Sequence, residues 1–192
     1  VQDGRVTGIR EISSLCIRIP HEIRHPPEQL LPLLSASCLL AGRPGSGKTT
    51  LLRDLVRVLS LGDSEHRALR VAVIDERCEL AVCCKGRAQM ELGNHTDVLS
   101  LCPKAVGIPM VLRGMNPQVI ACDELGTPGD AEAVAQGVAS GVVFFATVHC
   151  DDPAGLRKKP ALTALLDTGA FAKAAFLSGR SRPGAVAQWV TL

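Results

Sequence analysis

The sequence has few aromatic residues and no excess of either charge. Aromatic residues make up 3% of the 192 residues and there is no Tyr, so the chain offers little for stacking against nucleic-acid bases. The 21 Lys and Arg residues nearly balance the 19 Asp and Glu residues, and neither half of the chain is strongly basic. We therefore expect no nucleic-acid partner.

The eight cysteines lack the spacing of a metal or redox site. They form no CxxC pair, and most of them lie in apolar runs. This pattern is typical of reduced, buried thiols in a cytosolic protein. A metal or redox role is the alternative, although the usual ligand spacing is missing.

The sequence also lacks a hydrophobic run that would cross a membrane. Its longest stretch without a charged side chain, residues 133–150, is interrupted by Gly, Ser, Gln, Thr and His, and it predicts a helix, a turn and a strand. Apolar residues nevertheless make up 46% of the chain, enough for a core of normal size. The first residue is Val rather than Met, which indicates a fragment or a trimmed chain.

Short apolar runs alternate with helical patterns along most of the chain. Strands are expected at 6–20, 38–41, 71–74, 80–84, 119–122, 142–147, 174–177 and 185–190, and helices at 28–34, 48–61, 102–115, 129–140 and 160–166. Continuous apolar strands separated by helices predict an α/β fold with a mainly parallel sheet that is covered on both faces.

The segment GRPGSGKT at 42–49 fits the phosphate-binding pattern GxxxxGK[ST]. It follows an apolar strand and opens an amphipathic helix, so backbone N–H groups and the positive helix end would meet a phosphate. Lys48 is expected to contact the β- and γ-phosphates, and Thr49 to ligate Mg²⁺. The expected nucleotide-binding residues are Gly42, Pro44, Gly45, Ser46, Gly47, Lys48, Thr49 and Thr50. The alternative is a glycine-rich turn that binds nothing.

A second motif, VIACDE at 119–124, is an apolar strand that ends in two carboxylates. Asp123 is expected beside the phosphates, where it would help to hold Mg²⁺. Glu124 is a candidate base that polarises the attacking water. This pair favours a hydrolase over a kinase or a small GTPase. The alternative is an acidic pair that caps the next helix.

Three further groups of residues are candidates for the same site. His149 ends the next strand, where it would sense the γ-phosphate, unless it is a structural histidine. Glu76 and Glu79 follow the second strand and would orient water or metal, unless they form salt bridges in a solvated loop. Arg113 and Arg157 are candidate arginine fingers for a neighbouring subunit, and otherwise surface arginines.

The motifs, taken together, resemble the stage III sporulation protein AA family, a branch of the secretion (traffic) ATPases. The matching stretches are IREISSLCIRI at 9–19, GRPGSGKTTLLRDLVRVLS at 42–60, VAVIDERCELA at 71–81, HTDVLSLCPKAVG at 95–107, LRGMNPQVIACDELG at 112–126 and ATVHC at 146–150. The resemblance implies a RecA-like P-loop ATPase that uses ATP and Mg²⁺ and assembles into a ring, expected to be a hexamer. The family's functional positions fall on Lys48, Thr49, Asp123, Glu124, Glu76, Glu79 and His149.

The resemblance also implies a cellular role and a division into domains. The protein would be cytoplasmic and would act beside the membrane channel between mother cell and forespore, through channel proteins of the sporulation stage III complex. Residues 1–35 would be a linker segment left from a larger N-terminal region, and residues 36–192 the ATPase domain. Two other functions stay open: an assembly scaffold that binds ATP with little turnover, and a nucleic-acid-associated P-loop ATPase.

Overall fold

The computed structural model describes residues 11–15, 17, 19, 22–25, 27–34, 36–64 and 66–192. Within these residues the chain forms seven strands and six helices. The strands are β1 (Cys38–Ala41), β2 (Val71–Asp75), β3 (Thr96–Ser100), β4 (Val119–Cys122), β5 (Val143–Val148), β6 (Lys173–Leu177) and β7 (Val186–Thr191). The helices are α1 (Pro27–Leu34), α2 (Lys48–Leu61), α3 (Lys104–Gly114), α4 (Pro128–Ala139), α5 (Pro153–Leu156) and α6 (Pro160–Asp167).

All seven strands belong to one sheet, in the order β3-β2-β4-β5-β1-β6-β7. Neighbouring strands are parallel except β6 and β7, which pair in antiparallel fashion. The prediction of an α/β fold with a mainly parallel sheet is confirmed. Because parallel strands end at the same edge of the sheet, the residues that follow β1, β2, β4 and β5 meet there.

Apolar side chains cover both faces of this sheet. Along β1, Leu39 and Ala41 pack into one cluster and Cys38 and Leu40 into the other. The first cluster also contains residues of α3, α4 and α6, and the second contains residues of α1 and α2. Burial on both faces explains why these strands are continuous apolar runs rather than alternating ones.

The stretch without charged side chains does not form a single long helix. Residues 133–150 contain the end of α4, a turn, β5 and the two residues after it, as expected. Among the helices that the structure describes, none is long and apolar enough to cross a membrane.

Three secondary-structure expectations differ from the structure. The strand expected at 80–84 is wrong: these residues lie in an irregular loop, and the strand beside β2 is β3. β3 is only partly buried at the sheet edge, so its sequence, TDVLS, lacks an apolar run. The short helix α5 was not expected. The strand expected at 6–20 lies partly outside the described residues, and residues 11–15, 17 and 19 have no strand geometry.

Candidate active site

A cavity of about 460 Å³ opens where the parallel strands end. Ten of the expected site residues line it: Pro44, Gly45, Gly47, Lys48, Thr49, Thr50, Glu79, Asp123, Glu124 and His149. Two residues without an expected role, Arg77 and Arg180, complete the lining. The fold thus brings most of the predicted site together from separate parts of the chain.

The glycines of the phosphate loop give it a conformation that other residues rarely adopt. Gly45 and Gly47 have φ angles of +79° and +89°. Gly47 also packs against the turn between β6 and β7, where a Cβ atom would lie 2.4 Å from the nitrogen of Gly184. It stands at the N-cap of α2 without a side chain, which leaves the N–H groups of the first turn available to an anion.

Ser46 provides a direct test of whether this loop fits a phosphate. Its hydroxyl oxygen is buried and has no hydrogen-bond partner among the described residues. Buried hydroxyl groups are nearly always hydrogen-bonded, so an unpaired one points to a missing ligand or water. The backbone conformation of the loop therefore fits a phosphate group, while the unpaired Ser46 hydroxyl lies in the loop and does not line the cavity.

Lys48 extends into the same loop. Its Nζ donates to the carbonyl oxygens of Gly42 at 2.8 Å and Arg43 at 3.0 Å, and the residue is only 7% exposed. Burial lowers the pKa of Lys48, and the nearby carboxylates, first that of Asp123, act in the opposite direction. The ammonium group is held by carbonyl oxygens in a position from which it can exchange them for phosphate oxygens.

Thr49 and Asp123, the two expected Mg²⁺ ligands, are in direct contact. Thr49 Oγ1 donates to Asp123 Oδ2 at 2.9 Å. A hydroxyl and a carboxylate are oxygen donors of the kind that Mg²⁺ prefers. The described residues contain no cluster of three His, Cys, Asp or Glu side chains that would hold a metal.

Thr147 is a site residue that the sequence did not reveal. Its side chain is buried in β5, and its hydroxyl donates to Asp123 Oδ1 and accepts the backbone N–H of Glu124, the latter at 2.8 Å. Glu124 has a φ of +53°, so the backbone turns sharply after β4. The available signal was one polar residue in an otherwise apolar strand.

The two ring nitrogens of His149 link Lys48 to Glu124. Nδ1 lies 3.3 Å from Lys48 Nζ, and Nε2 lies 3.2 Å from Glu124 Oε1. Because an ammonium group can only donate, Nδ1 must be the acceptor, which assigns the proton to Nε2. In this arrangement Nε2 is therefore the nitrogen of His149 that donates to Glu124.

The loop after β2 places Arg77 against Glu124. Arg77 Nη2 contacts Glu124 Oε2 and lies 3.3 Å from Glu79 Oε2. The buried carboxylate of Asp75 fixes this loop by accepting the backbone N–H groups of residues 79–81 at 2.8, 3.1 and 2.8 Å. Asp75 is thus a structural residue that holds the cavity-lining residues in place.

Five expected site residues do not line this cavity. Gly42 lines a second cavity, and Ser46 is fully buried. Glu76 does not line the cavity and instead pairs with Lys104, the first residue of α3. Arg113 and Arg157 are exposed, and neither lines the cavity. Their proposed role in a neighbouring subunit stays a prediction, and the geometry gives Glu76 no place in the cavity.

Comparison with known proteins identifies the family. The sequence family described as "Sporulation stage III, protein AA" matches residues 1–190. The chain belongs to this family. The family member described here is 38% identical over 191 residues to the stage III sporulation protein AA of Bacillus subtilis (strain 168), with 97% of this chain and 62% of the relative covered.

A plant relative is more distant. The protein SEEDLING PLASTID DEVELOPMENT 1 of Arabidopsis thaliana is 30% identical over 175 residues, with 84% of this chain and 24% of that protein covered. The chain therefore spans less than two thirds of the length of both relatives.

Three solved structures share the fold. The Legionella pneumophila ATPase DotB has a TM-score of 0.59 and 16% identity, over 82% of this chain and 46% of that one. The pilus retraction motor PilT with bound ADP has a TM-score of 0.57 and 16% identity, over 85% of this chain and 49% of that one. The VirB11 ATPase of the Brucella suis type IV secretion system, in complex with sulphate, has a TM-score of 0.55 and 19% identity, over 87% of this chain and 56% of that one. These likenesses confirm the expected fold class, an α/β fold with a mainly parallel sheet, which the chain shares with these three proteins.

Proposed function

We propose that this family member is a Mg²⁺-dependent ATPase that binds and hydrolyses ATP in the cavity described above. The observation that carries the proposal is the contact between Thr49 and Asp123 beside the loop that holds Lys48. This contact supports the proposal because Lys48, Thr49, Asp123 and Glu124 line one cavity, where they would bind phosphate, hold the metal and supply the base. The names of the structural neighbours, two of which are called ATPases and one a motor, support this assignment.

Each residue has a distinct part in this reaction. The ammonium of Lys48 and the N–H groups at the start of α2 would bind the β- and γ-phosphates. Thr49 and Asp123 would hold Mg²⁺, which when bound neutralises charge on the phosphates. Glu124 would accept a proton from the attacking water as the water oxygen bonds to the γ-phosphorus. The bond between the γ-phosphorus and the β-phosphate oxygen breaks in the same reaction. His149 would orient Glu124 through its Nε2 proton.

The proposal extends to a ring of copies, expected to be a hexamer, that energises or assembles the channel between mother cell and forespore. The shared fold with secretion-system ATPases and a pilus motor supports a ring, and the name of the Bacillus subtilis relative supports the cellular role. The exposed side chains of Arg113 and Arg157 are available to a neighbouring subunit. Residues 1–35 would link the ATPase domain, 36–192, to further parts of the assembly. The protein would work in the cytoplasm and reach the membrane through channel proteins.

The deciding experiment is steady-state ATP hydrolysis with Mg²⁺ over a range of protein concentrations. A ring with shared sites predicts that specific activity rises with concentration. Lys48→Ala and Glu124→Gln should each reduce turnover by about a hundredfold or more, while Glu124→Gln still binds ATP. Arg67→Ala, in an exposed loop before β2, is the matched control and should keep full activity.

An ATP-binding scaffold with little turnover is the second candidate function. The contacts of Glu124 favour it: both Arg77 and His149 contact the Glu124 carboxylate, which makes that carboxylate less available as a base. Nucleotide binding without turnover at every concentration, repeated with a chain as long as the Bacillus subtilis relative, would replace the ATPase proposal with this one.

A further inference from the structure

Arg77 covers the carboxylate that the proposed reaction uses as its base. Glu124 Oε2 contacts Arg77 Nη2 and has less than 1 Å² of accessible surface. The other oxygen, Oε1, lies 3.2 Å from His149 Nε2. A general base must reach the water that it deprotonates, so Oε2 cannot serve while Arg77 stays in place.

The Arg77 side chain is half exposed, whereas the loop that carries it is anchored beside it. Asp75 anchors the loop through the N–H groups of residues 79–81, whereas the Arg77 side chain is 52% exposed. Its second contact is with Glu79, which is itself 35% exposed. An ion pair as accessible to solvent as Arg77–Glu79 is weak, so it does little to hold Arg77 against another anion.

A bound triphosphate would offer Arg77 such an anion. Arg77 lines the same cavity as Lys48 and Thr49, the residues that would hold the β- and γ-phosphates. A terminal phosphate carries more negative charge than a carboxylate, and its oxygens match the planar donor fork of a guanidinium group. The phosphate and Glu124 therefore compete for the same side chain.

We propose that Arg77 leaves Glu124 for the terminal phosphate of a bound nucleoside triphosphate, so that the base is uncovered only when that phosphate is present. A diphosphate leaves Arg77 on Glu124. The exchange would make the cavity select ATP over ADP and would tie exposure of the base to the presence of substrate. It rests on the proposed function, because it requires a triphosphate in this cavity.

The test is a double-mutant cycle of nucleotide binding by isothermal titration calorimetry with Mg²⁺. The ligands are ADP and the non-hydrolysable analogue AMP-PNP, and the proteins are the natural chain, Arg77→Ala, Glu124→Gln and the double variant. Arg77→Ala should lower the affinity for AMP-PNP by about tenfold and leave the affinity for ADP unchanged. Tenfold is at the low end for a charge-assisted hydrogen bond, because Arg77 is half exposed. Glu124→Gln removes the competing charge and should strengthen AMP-PNP binding relative to ADP, by more when Arg77 is present than when it is absent, because the Glu124 carboxylate also repels the phosphate directly.

Two further variants serve as controls for charge and for side-chain shape. Arg67→Ala removes an equal charge at a distance from the cavity and should change neither affinity. Arg77→Lys keeps the charge without the planar fork, and should recover only part of the AMP-PNP affinity. Thermal unfolding of each variant shows that the chain is still folded.

The outcomes separate this inference from the proposed function. Three results would each overturn the exchange. Arg77→Ala could weaken the binding of both nucleotides equally, it could weaken neither, or the gain in AMP-PNP affinity from Glu124→Gln could be as large without Arg77 as with it. The ATPase proposal survives these results as long as the natural chain binds both nucleotides. If the natural chain binds neither nucleotide, the ATPase proposal fails and the exchange fails with it.

Discussion

The hydroxyl of Thr147 donates a hydrogen bond to the carboxylate of Asp123 across two neighbouring strands. The same oxygen accepts the backbone N–H of Glu124, so one buried atom in β5 positions both carboxylates that follow β4. The proposed metal ligand and the proposed base are therefore held by a residue that would touch neither metal nor water.

Replacing Thr147 by Val tests this positioning role. The change keeps the shape of the side chain but leaves a buried N–H group and a carboxylate oxygen without their partner, which costs about 1–3 kcal/mol of stability. We expect ATP hydrolysis to fall by about tenfold or more, since Asp123 and Glu124 lose their common anchor. Steady-state turnover and urea unfolding measure the two effects.

Thr147→Ser is the matched control because it keeps the hydroxyl and removes only a methyl group. It should retain most of the activity. Equal losses in the Val and Ser variants would show that packing, rather than the hydrogen bonds, is what matters at this position.

Lys48 gives a prediction about pH. Burial lowers the pKa of Lys48 from its ordinary value of 10.5, so this side chain loses its proton, and with it the charge that binds phosphate, at a lower pH than an exposed lysine. We expect ADP affinity to fall with rising pH before pH 10.5 is reached. Lys48→Arg stays charged throughout, and should show weaker binding without this fall. Parallel pH series by calorimetry would contradict the prediction if the two proteins behaved alike.

The cysteines should differ widely in reactivity. Burial raises the pKa of Cys38 and that of Cys122 to about 12, so at pH 8 almost no thiolate is present at either position. Of the seven cysteines that the structure describes, Cys84 is the exposed one and should react before the other six. Brief treatment of the folded protein with iodoacetamide, followed by peptide mass spectrometry, gives the order directly. Rapid labelling of Cys122 would contradict the burial argument and reopen a redox role.

The local parts of this site could be predicted from the sequence. The conformations of the phosphate loop and α2 are determined by residues close in sequence: the glycines with left-handed backbone and the apolar periodicity of the helix. Helix α2 accordingly begins and ends where expected. Asp123 and Glu124 could also be placed, because carboxylates that follow a buried parallel strand lie at the edge where the loop lies.

The parts that depend on distant contacts could not be predicted. β3 is an edge strand whose exposed positions carry polar residues, so it lacks the apolar run of its neighbours. Thr147 and Arg77 matter because of what other strands and loops place beside them. A single polar residue in an apolar strand marks Thr147 in the sequence but does not reveal its partners. Glu76 lies in the loop after β2, and its pairing with Lys104 of α3 depends on a distant contact as well.

Glu79 and Glu76, three residues apart in the loop after β2, provide a final comparison. Glu79 lines the cavity and contacts Arg77, whereas Glu76 pairs with Lys104 outside it. We expect Glu79→Gln to lower ATP turnover by about tenfold, because it removes a charge that faces the bound nucleotide and holds Arg77. Glu76→Gln should change turnover by less than about twofold, since the carboxylate that it removes is remote from the reaction. The two variants remove the same charge, so a difference in their turnover, measured side by side at one Mg²⁺ concentration, reports the position of the carboxylate relative to the cavity. A larger loss from Glu76→Gln would mean that the loop adopts another arrangement when nucleotide binds, and that Glu76 then belongs to the site.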